Sequence, residues 1–182
     1  MTNAEQILTA LDATLTTRVE LTLYGRAALL LGYEDPPAEY ALSQDVDAVM
    51  WMGQAEELCA TTDFWDAVER VNAELAHDGL YISHFFTEDQ VALRPNWRDC
   101  RVAVKKTWPR LNLTRLGDLD LLLSKLMRDD PVDAADAQFI VKSGGLGRSD
   151  IERAIAAVRL PASSEVREEF RRASARLLSL WP

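Results

Sequence analysis

The stretch from Arg18 to Met50 constrains the fold more than any other part of this 182-residue chain. An apolar run rich in β-branched residues, 19–24, predicts a strand that ends at Gly25. A helix-prone segment, 26–31, is closed by Gly32, and a polar loop with two consecutive prolines leads to a second predicted strand, 43–49. This succession of elements is typical of a small mixed sheet with helices packed against it.

Two aspartates alternate with apolar residues in the second of these strands. Side chains two residues apart point to one face of a strand, so Asp45 and Asp47 should lie side by side while Val46 and Val49 contribute to a core. Adjacent carboxylates repel each other unless a positive group lies between them, and a common group of this kind is a divalent cation with oxygen ligands. The alternative is a pair of solvated carboxylates at a strand edge.

The remaining pattern predicts a mixed first half and a helical second half. The predicted helices of the first half cover 4–17, with Asn3 as N-cap and Gln6 three residues later, a short segment after Gly53, and 64–76. Further strands are predicted at 80–86, 91–93, 101–104 and 111–114. In the second half, helices are predicted at 119–126 and 133–142, with Pro131 between them, and at 165–180. A capping box formed by Ser149 and Glu152 predicts the start of another helix. We therefore predict an α+β fold, with an α/β core in residues 1–115 and a helical part in 116–182 packed on it as one compact unit.

Charge is distributed unevenly along the chain, whose formal net charge is −9. Residues 34–93 hold fourteen acidic residues and one basic residue, whereas 94–115 hold seven basic residues and one acidic residue. The net charge argues against non-specific binding of nucleic acid by the whole surface. Segment 94–115 is nevertheless a candidate for contact with phosphates, and Trp97 and Trp108 would add stacking surfaces. Alternatively, the basic residues neutralise the acidic half and both tryptophans belong to the core.

Cysteine, histidine and hydropathy patterns exclude several classes of protein. Cys59 and Cys100 are too few for a disulfide framework and lack metal-site spacing, so we expect two reduced thiols. No apolar run approaches the length of a membrane span, and the N-terminal residues lack the order of a signal peptide. We therefore expect a cytoplasmic protein without a membrane partner. His77 and His84 lie far apart in the sequence, and no role is expected for either.

The strand, glycine turn, short helix, loop and Asp-x-Asp strand resemble the signature of the nucleotidyltransferase superfamily. Segment 119–141, LDLLLSKLMRDDPVDAADAQFIV, is similar to the helical segment with Lys, Arg and Asp-x-x-Asp in one branch. That branch comprises bacterial nucleotidyltransferase-like proteins related to abortive-infection and toxin–antitoxin enzymes. The resemblance covers roughly residues 18–160, and the matching positions are Gly25, Ser43, Asp45, Asp47, Lys125, Arg128, Asp133 and Asp136.

The resemblance implies a magnesium-dependent transfer of a nucleoside monophosphate from a nucleoside triphosphate to a hydroxyl of RNA or protein. The setting would be a toxin–antitoxin or phage-defence system, with a cognate toxin or antitoxin protein as a partner. One or two Mg²⁺ ions would be bound by Asp45 and Asp47. The implied catalytic residues are Asp45, Asp47, Lys125 and Asp136. The implied nucleotide-binding residues are Gly25, Arg26, Ser43, Lys125 and Arg128.

Physical chemistry supports some of these implied roles and offers alternatives for others. A glycine before a helix N-terminus lets a phosphate approach the free amides closely, although it also serves any turn with an unusual backbone angle. Lys125 would lie within reach of Asp45 or Asp47, with Asp136 completing a polar floor, or would belong with Arg128 to the exposed face of an amphipathic helix. Asp133 and Asp136 would alternatively be acids that stabilise a helix N-terminus.

Two features depart from the pattern of the resembled family. Arg26 stands where a small residue normally lets the triphosphate approach, so it either binds phosphate or obstructs it. No third carboxylate is evident on a later strand, because 101–105 carries none and Asp99 lies just before it. Either Asp133 or Asp136 substitutes, or the metal site is weakened. The alternative function is therefore a catalytically silent protein of this fold that binds a nucleotide or acts as a toxin–antitoxin interaction module.

Overall fold

The computed structural model describes residues 1–180 and confirms a mixed α/β fold. The chain divides into two compact units. We call Met1–Thr87 with Val102–Arg115 the sheet unit, and Glu88–Arg101 with Leu116–Pro182 the helical unit.

A five-stranded mixed sheet forms the centre of the sheet unit. Its strands, in the order β3-β2-β1-β5-β4, are β1 (Val19–Tyr24), β2 (Asp45–Met50), β3 (Tyr81–Thr87), β4 (Val102–Ala103) and β5 (Leu111–Arg115). β1 runs antiparallel to β2 and parallel to β5, and β2 runs parallel to β3. The predicted strand 19–24 is confirmed, whereas the Asp-x-Asp strand begins two residues later than predicted. The strand predicted at 91–93 is wrong, because only Leu93 forms an isolated bridge there, with Arg159.

The helices of the sheet unit are α1 (Asn3–Thr14), α2 (Gly25–Gly32), α3 (Gln54–Thr61) and α4 (Phe64–Leu75). The predicted cap of α1 is wrong by one residue, because Thr2 and Glu5, not Asn3 and Gln6, form the reciprocal capping box. α1 also ends three residues earlier than predicted. The chain turns away at Leu15, and the backbone N–H of Thr16 donates to the Asp63 carboxylate over 3.1 Å.

The helices of the helical unit are α5 (Asp118–Lys125), α6 (Pro131–Ser143), α7 (Arg148–Ala157) and α8 (Ser164–Leu178). Pro131 begins α6, where its missing N–H costs nothing, and the Asp130 side chain caps the helix by accepting from the Asp133 amide. The predicted capping box at Ser149 is wrong. The N-cap of α7 is Gly147, two residues before Ser149, and no side chain caps the helix.

The boundary between the units differs from the predicted boundary at residue 115, because 88–101 belongs with the helices. An ion pair between the half-buried Arg94 and the buried Asp120, Nη2 to Oδ2 at 2.6 Å, joins this segment to α5. The hydrogen bond to Asp120 raises the pKa of the Arg94 guanidinium above its usual value. Arg94 and Asp120 lie 26 residues apart in the sequence, so no local pattern predicts their pairing. The packing of the two parts as one compact unit stays a prediction.

Candidate functional site

The turn between β1 and α2 has a backbone that only glycine adopts easily. Gly25 has φ +67°, in the left-handed region, and is the first residue of α2. The N-cap residue, Tyr24, makes no side-chain hydrogen bond to the first-turn amides. A Cβ at position 25 would lie 3.1 Å from Asp47 Oδ2, so the turn and this carboxylate are immediate neighbours. Glycine is therefore favoured here by its backbone angle, and a Cβ would require the Asp47 carboxylate to shift by a few tenths of an ångström.

Asp45 and Asp47 lie at the start of β2, as the alternating pattern predicts. Both are half-buried, whereas Val46 and Ala48, which point to the opposite face, are buried. Ser43 Oγ donates to Asp45 Oδ1 over 2.9 Å, which brings this serine to the same pair of carboxylates. Tyr24 is the cross-strand partner of Asp47, so the end of β1 and the start of β2 share one edge of the sheet.

The neighbouring strand β3 contributes Ser83, which the sequence did not single out, and His84, for which no role was expected. Ile82 pairs with Val46 and Phe85 pairs with Ala48, so two residues of β3 face Asp47 alone. Ser83 Oγ donates to Asp47 Oδ1 over 2.6 Å. His84 Nδ1 lies 2.8 Å from Ser83 Oγ and 3.4 Å from Asp47 Oδ1.

The register between β2 and β3 shifts at Asp47, where β3 has one extra residue and forms a bulge. This bulge explains why sequence reasoning missed Ser83 and His84. The apolar pattern at 80–86 predicts the strand but carries no sign of a bulge. Bulges re-aim side chains and are frequent beside functional sites. β3 therefore brings a hydroxyl and an imidazole, not a third carboxylate, to the Asp-x-Asp strand. The acid considered from the sequence near 101–105, Asp99, lies in the helical unit and is exposed.

The two carboxylates suit a metal whose coordination is completed by a substrate. Within residues 1–180, no group of three or more His, Cys, Asp or Glu side chains is placed to hold a metal ion. Mg²⁺ does not need such a group, since it is usually bound by one or two carboxylates together with substrate phosphates and water. Asp45 and Asp47 supply hard oxygen ligands on one face of β2, so the donor set fits Mg²⁺.

Arg26, the residue after the glycine turn, packs on an aromatic ring. Its guanidinium carbon lies 5.2 Å from the ring centroid of Tyr40, a buried residue of the 3-10 helix Ala38–Leu42. This geometry is typical of a cation–π contact. Binding of phosphate by Arg26 stays a prediction, and so does its obstruction.

Lys125, at the end of α5, is enclosed by two carboxylates of α6. Its ammonium lies 3.0 Å from Asp133 Oδ1 and 2.8 Å from Asp136 Oδ2. The lysine side chain is 9% exposed, and those of Asp133 and Asp136 are 3% and 1% exposed. The alternative that Lys125 lies on an exposed helix face is therefore wrong. Arg128, which is exposed, reaches Asp133 Oδ2 with its Nε at 2.7 Å.

The matched segment of the resembled branch thus forms one local ion-pair cluster. Asp133 also lies in the first turn of α6, so its expected place at a helix N-terminus is confirmed. Asp136 lies one turn further along, fully buried against the lysine. Reach of Lys125 to Asp45 or Asp47 stays a prediction, and so does substitution of Asp133 or Asp136 for the third carboxylate.

Two lysines of the basic segment 94–115 are paired with acids of the sheet unit. Lys105 Nζ lies 2.7 Å from Glu34 Oε1, and Lys106 Nζ lies 2.9 Å from Glu5 Oε1. The hydrogen bond from Lys105 lowers the pKa of the Glu34 carboxyl below its usual value. The Lys105–Glu34 pair agrees with the alternative in which the basic residues neutralise the acidic half, 34–93, whereas Glu5 lies outside that half. The contact of segment 94–115 with phosphates stays a prediction.

The tryptophans of segment 94–115 belong to the interior, in agreement with the alternative that placed both of them in the core. Trp97 and Trp108 are both buried. The Trp97 indole N–H donates to Glu88 Oε2 over 2.9 Å, and that of Trp108 donates to Thr9 Oγ1 over 3.2 Å. Buried indoles with bonded N–H groups are not stacking surfaces for bases, so that part of the prediction is wrong.

Comparisons with known proteins leave family membership as a proposal. Neither a protein-family model nor a curated protein nor a solved structure matches this chain. In the described part of the chain, no helix combines the length and the apolar composition needed to cross a lipid bilayer.

Proposed function

We propose that this protein is a magnesium-dependent nucleotidyltransferase that moves a nucleoside monophosphate from a nucleoside triphosphate to a hydroxyl of RNA or protein. The observation that carries the proposal is the placement of the Asp47 carboxylate against Gly25, 3.1 Å from where a Cβ would stand. A helix N-terminus without a side-chain cap thereby adjoins a pair of same-face carboxylates. The first suits phosphates, and the second suits the cation that accompanies them.

Each group in this site has a definite task in nucleotidyl transfer. The first-turn amides of α2 would bind phosphate oxygens, and Gly25 would let the phosphates approach. Asp45 and Asp47 would hold one or two Mg²⁺ ions. When bound, Mg²⁺ neutralises the charge that develops on the phosphates and the leaving group. The hydrogen bonds from Ser43 to Asp45 and from Ser83 to Asp47 fix both carboxylates in orientation.

The resemblance adds proposals outside this pair of strands. Lys125, Arg128 and Arg26 would contact nucleotide phosphates, and Asp136 would complete the catalytic set. The acceptor hydroxyl would belong to RNA or protein, in a toxin–antitoxin or phage-defence setting with a cognate partner protein. A cytoplasmic location accompanies this proposal.

A second candidate function is a catalytically silent protein of the same fold that binds a nucleotide or a toxin–antitoxin partner. Two observations favour it. β3 brings Ser83 and His84 to Asp47 in place of a third carboxylate. In addition, the Lys125 ammonium is already balanced by Asp133 and Asp136. Such a protein would bind a nucleotide with Mg²⁺ but would release it unchanged.

Calorimetric titration with ATP, GTP, CTP and UTP, with and without Mg²⁺, tests the nucleotide site that the enzyme shares with the nucleotide-binding form of the silent protein. The wild-type protein should bind at least one nucleotide only with Mg²⁺. The double variant Asp45→Asn/Asp47→Asn should lose this binding while retaining its fold. The control variant Asp35→Asn/Glu39→Gln removes the same formal charge at two exposed positions of the same unit and should bind normally. Equal affinities of the two double variants would contradict the proposed metal site.

A further inference from the structure

Three aromatic rings form a connected group, and one of them, that of His84, lies beside the carboxylate of Asp47. The rings of His84 and Phe86 are stacked, with centroids 5.2 Å apart and planes inclined by 17°. Tyr24 contacts Phe86 edge-on, with centroids 5.6 Å apart and planes inclined by 79°. Both arrangements are favourable for aromatic pairs. The His84 ring therefore packs against Phe86, which in turn contacts Tyr24.

The His84 side chain is exposed and yet held in one orientation. It is 62% exposed. Its Nδ1 is bonded to Ser83 Oγ, and its backbone N–H donates to Asp47 Oδ1 over 3.4 Å. Ordering an exposed side chain costs conformational entropy that its few contacts must offset. A preoriented ring with one face packed and the rest open is suited to stacking against a planar partner.

We infer that His84, backed by Phe86, is the stacking platform for the base of the nucleotide. The inference rests on the proposed function and deepens it by assigning the base contact. His84 Nδ1 lies only 3.4 Å from Asp47 Oδ1, so the ring and the metal-binding carboxylate adjoin each other. A nucleoside triphosphate has a planar aromatic base at one end and phosphates at the other. It is therefore the class of small molecule whose two ends match both parts of this surface.

The bulge in β3 is what makes this arrangement possible. Without the extra residue, only one of Ser83 and His84 would face Asp47. With it, Ser83 orients the carboxylate while His84 lies flat against Phe86. Because stacking needs only a π-face, the platform is expected to accept any of the four common bases.

The test compares Mg·ATP with Mg·tripolyphosphate, which has phosphates but no base, by calorimetric titration. Removing an aromatic partner of a stacked base weakens binding roughly 5- to 150-fold. His84→Ala should weaken ATP binding by this factor and leave the tripolyphosphate affinity unchanged. His84→Phe keeps a ring without Nδ1 and should restore ATP binding. His77→Ala removes the other histidine of the chain, an exposed residue beside Asp78, and should change neither affinity.

Each remaining outcome would overturn the inference in a distinguishable way. Equal weakening of both ligands by His84→Ala would show that the histidine acts through Asp47, not through a base. Unchanged ATP binding by His84→Ala would refute the proposed stacking contact directly. A wild-type protein that binds tripolyphosphate as tightly as ATP would refute base stacking and leave the phosphate and metal site standing. Binding of neither ligand would refute the proposed function itself.

Discussion

Replacing Lys125 by Met tests whether the Lys125 cluster is first of all a structural element. If the lysine served only a nucleotide, this change would remove activity with little loss of stability, as the resemblance alone predicts. The structure leads to a different expectation, because the ammonium lies 3.0 Å and 2.8 Å from two carboxylates that are almost wholly buried. Methionine fills a similar volume, but both carboxylates lose their ammonium partner.

The size of the effect follows from burial. Breaking a buried ion pair by removing one partner costs about 3–5 kcal/mol, because an uncompensated charge remains in the interior. Asp133 retains the Arg128 guanidinium at 2.7 Å, so the lower part of this range is expected. For a chain of this length, a loss of about 3–4 kcal/mol corresponds to a fall in Tm of roughly 6–16 °C.

Thermal and urea unfolding, followed by circular dichroism, measure this loss. Arg128→Met is the matched control, since it removes a cation from the same Asp133 at a side chain that is 70% exposed. Because the Arg128 side chain is largely exposed and Asp133 keeps the Lys125 ammonium at 3.0 Å, this variant should lose clearly less stability than Lys125→Met. The triple variant Lys125→Met/Asp133→Asn/Asp136→Asn should recover part of the stability. A Lys125→Met protein as stable as Arg128→Met would refute the reasoning.

Two further predictions concern the sheet unit. Gly25→Ala and Gly79→Ala each place a side chain at the same φ of +67°, so each should lower the free energy of unfolding in urea by about 1–2 kcal/mol. Only Gly25→Ala should also weaken Mg²⁺-dependent nucleotide binding, because its Cβ meets Asp47. Equal binding by both variants would contradict this. The hydrogen bond from Lys106 lowers the pKa of Glu5, so this pair stabilises the fold above pH 4.5 and the contribution is lost as the pH falls through the folded-state pKa. Glu5→Gln keeps a capping-box residue and should be less stable than wild type by under about 1 kcal/mol at pH 7. The free energies of unfolding of the two proteins should converge as the pH falls. A constant difference from pH 7 to pH 3 would exclude the ion pair as the cause.

The elements predicted correctly are those with strong local signals. The strand 19–24, the turn at Gly25 and the same-face carboxylates all follow from patterns within a few residues. Period-two alternation fixes which side chains share a face before any tertiary contact is known. Accordingly, the central part of the candidate site is predictable from the sequence.

The features that sequence reasoning missed depend on partners far apart in the chain. His84 faces Asp47, 37 residues away, because of a bulge that no pattern announces. Arg94 belongs with the helices because of Asp120, and nothing near either residue indicates that pairing. Lys125 illustrates a third case, in which the motif was recognised but its burial between two acids was not. Side-chain spacing predicts which residues can contact each other within one helix, but it does not predict which residues of a neighbouring helix they contact.

Incorporation of label from α-phosphate-labelled nucleoside triphosphates tests the central claim most directly. The protein would be incubated with Mg²⁺, each labelled nucleotide and total bacterial RNA or protein extract as acceptor, and acid-insoluble label would be counted. The account predicts Mg²⁺-dependent labelling of one acceptor class by wild type and by Asp35→Asn/Glu39→Gln, and none by Asp45→Asn/Asp47→Asn. Binding of a nucleotide without any labelling would contradict the enzyme and favour the silent protein. Labelling that persists in Asp45→Asn/Asp47→Asn would contradict the assignment of these carboxylates as the metal site.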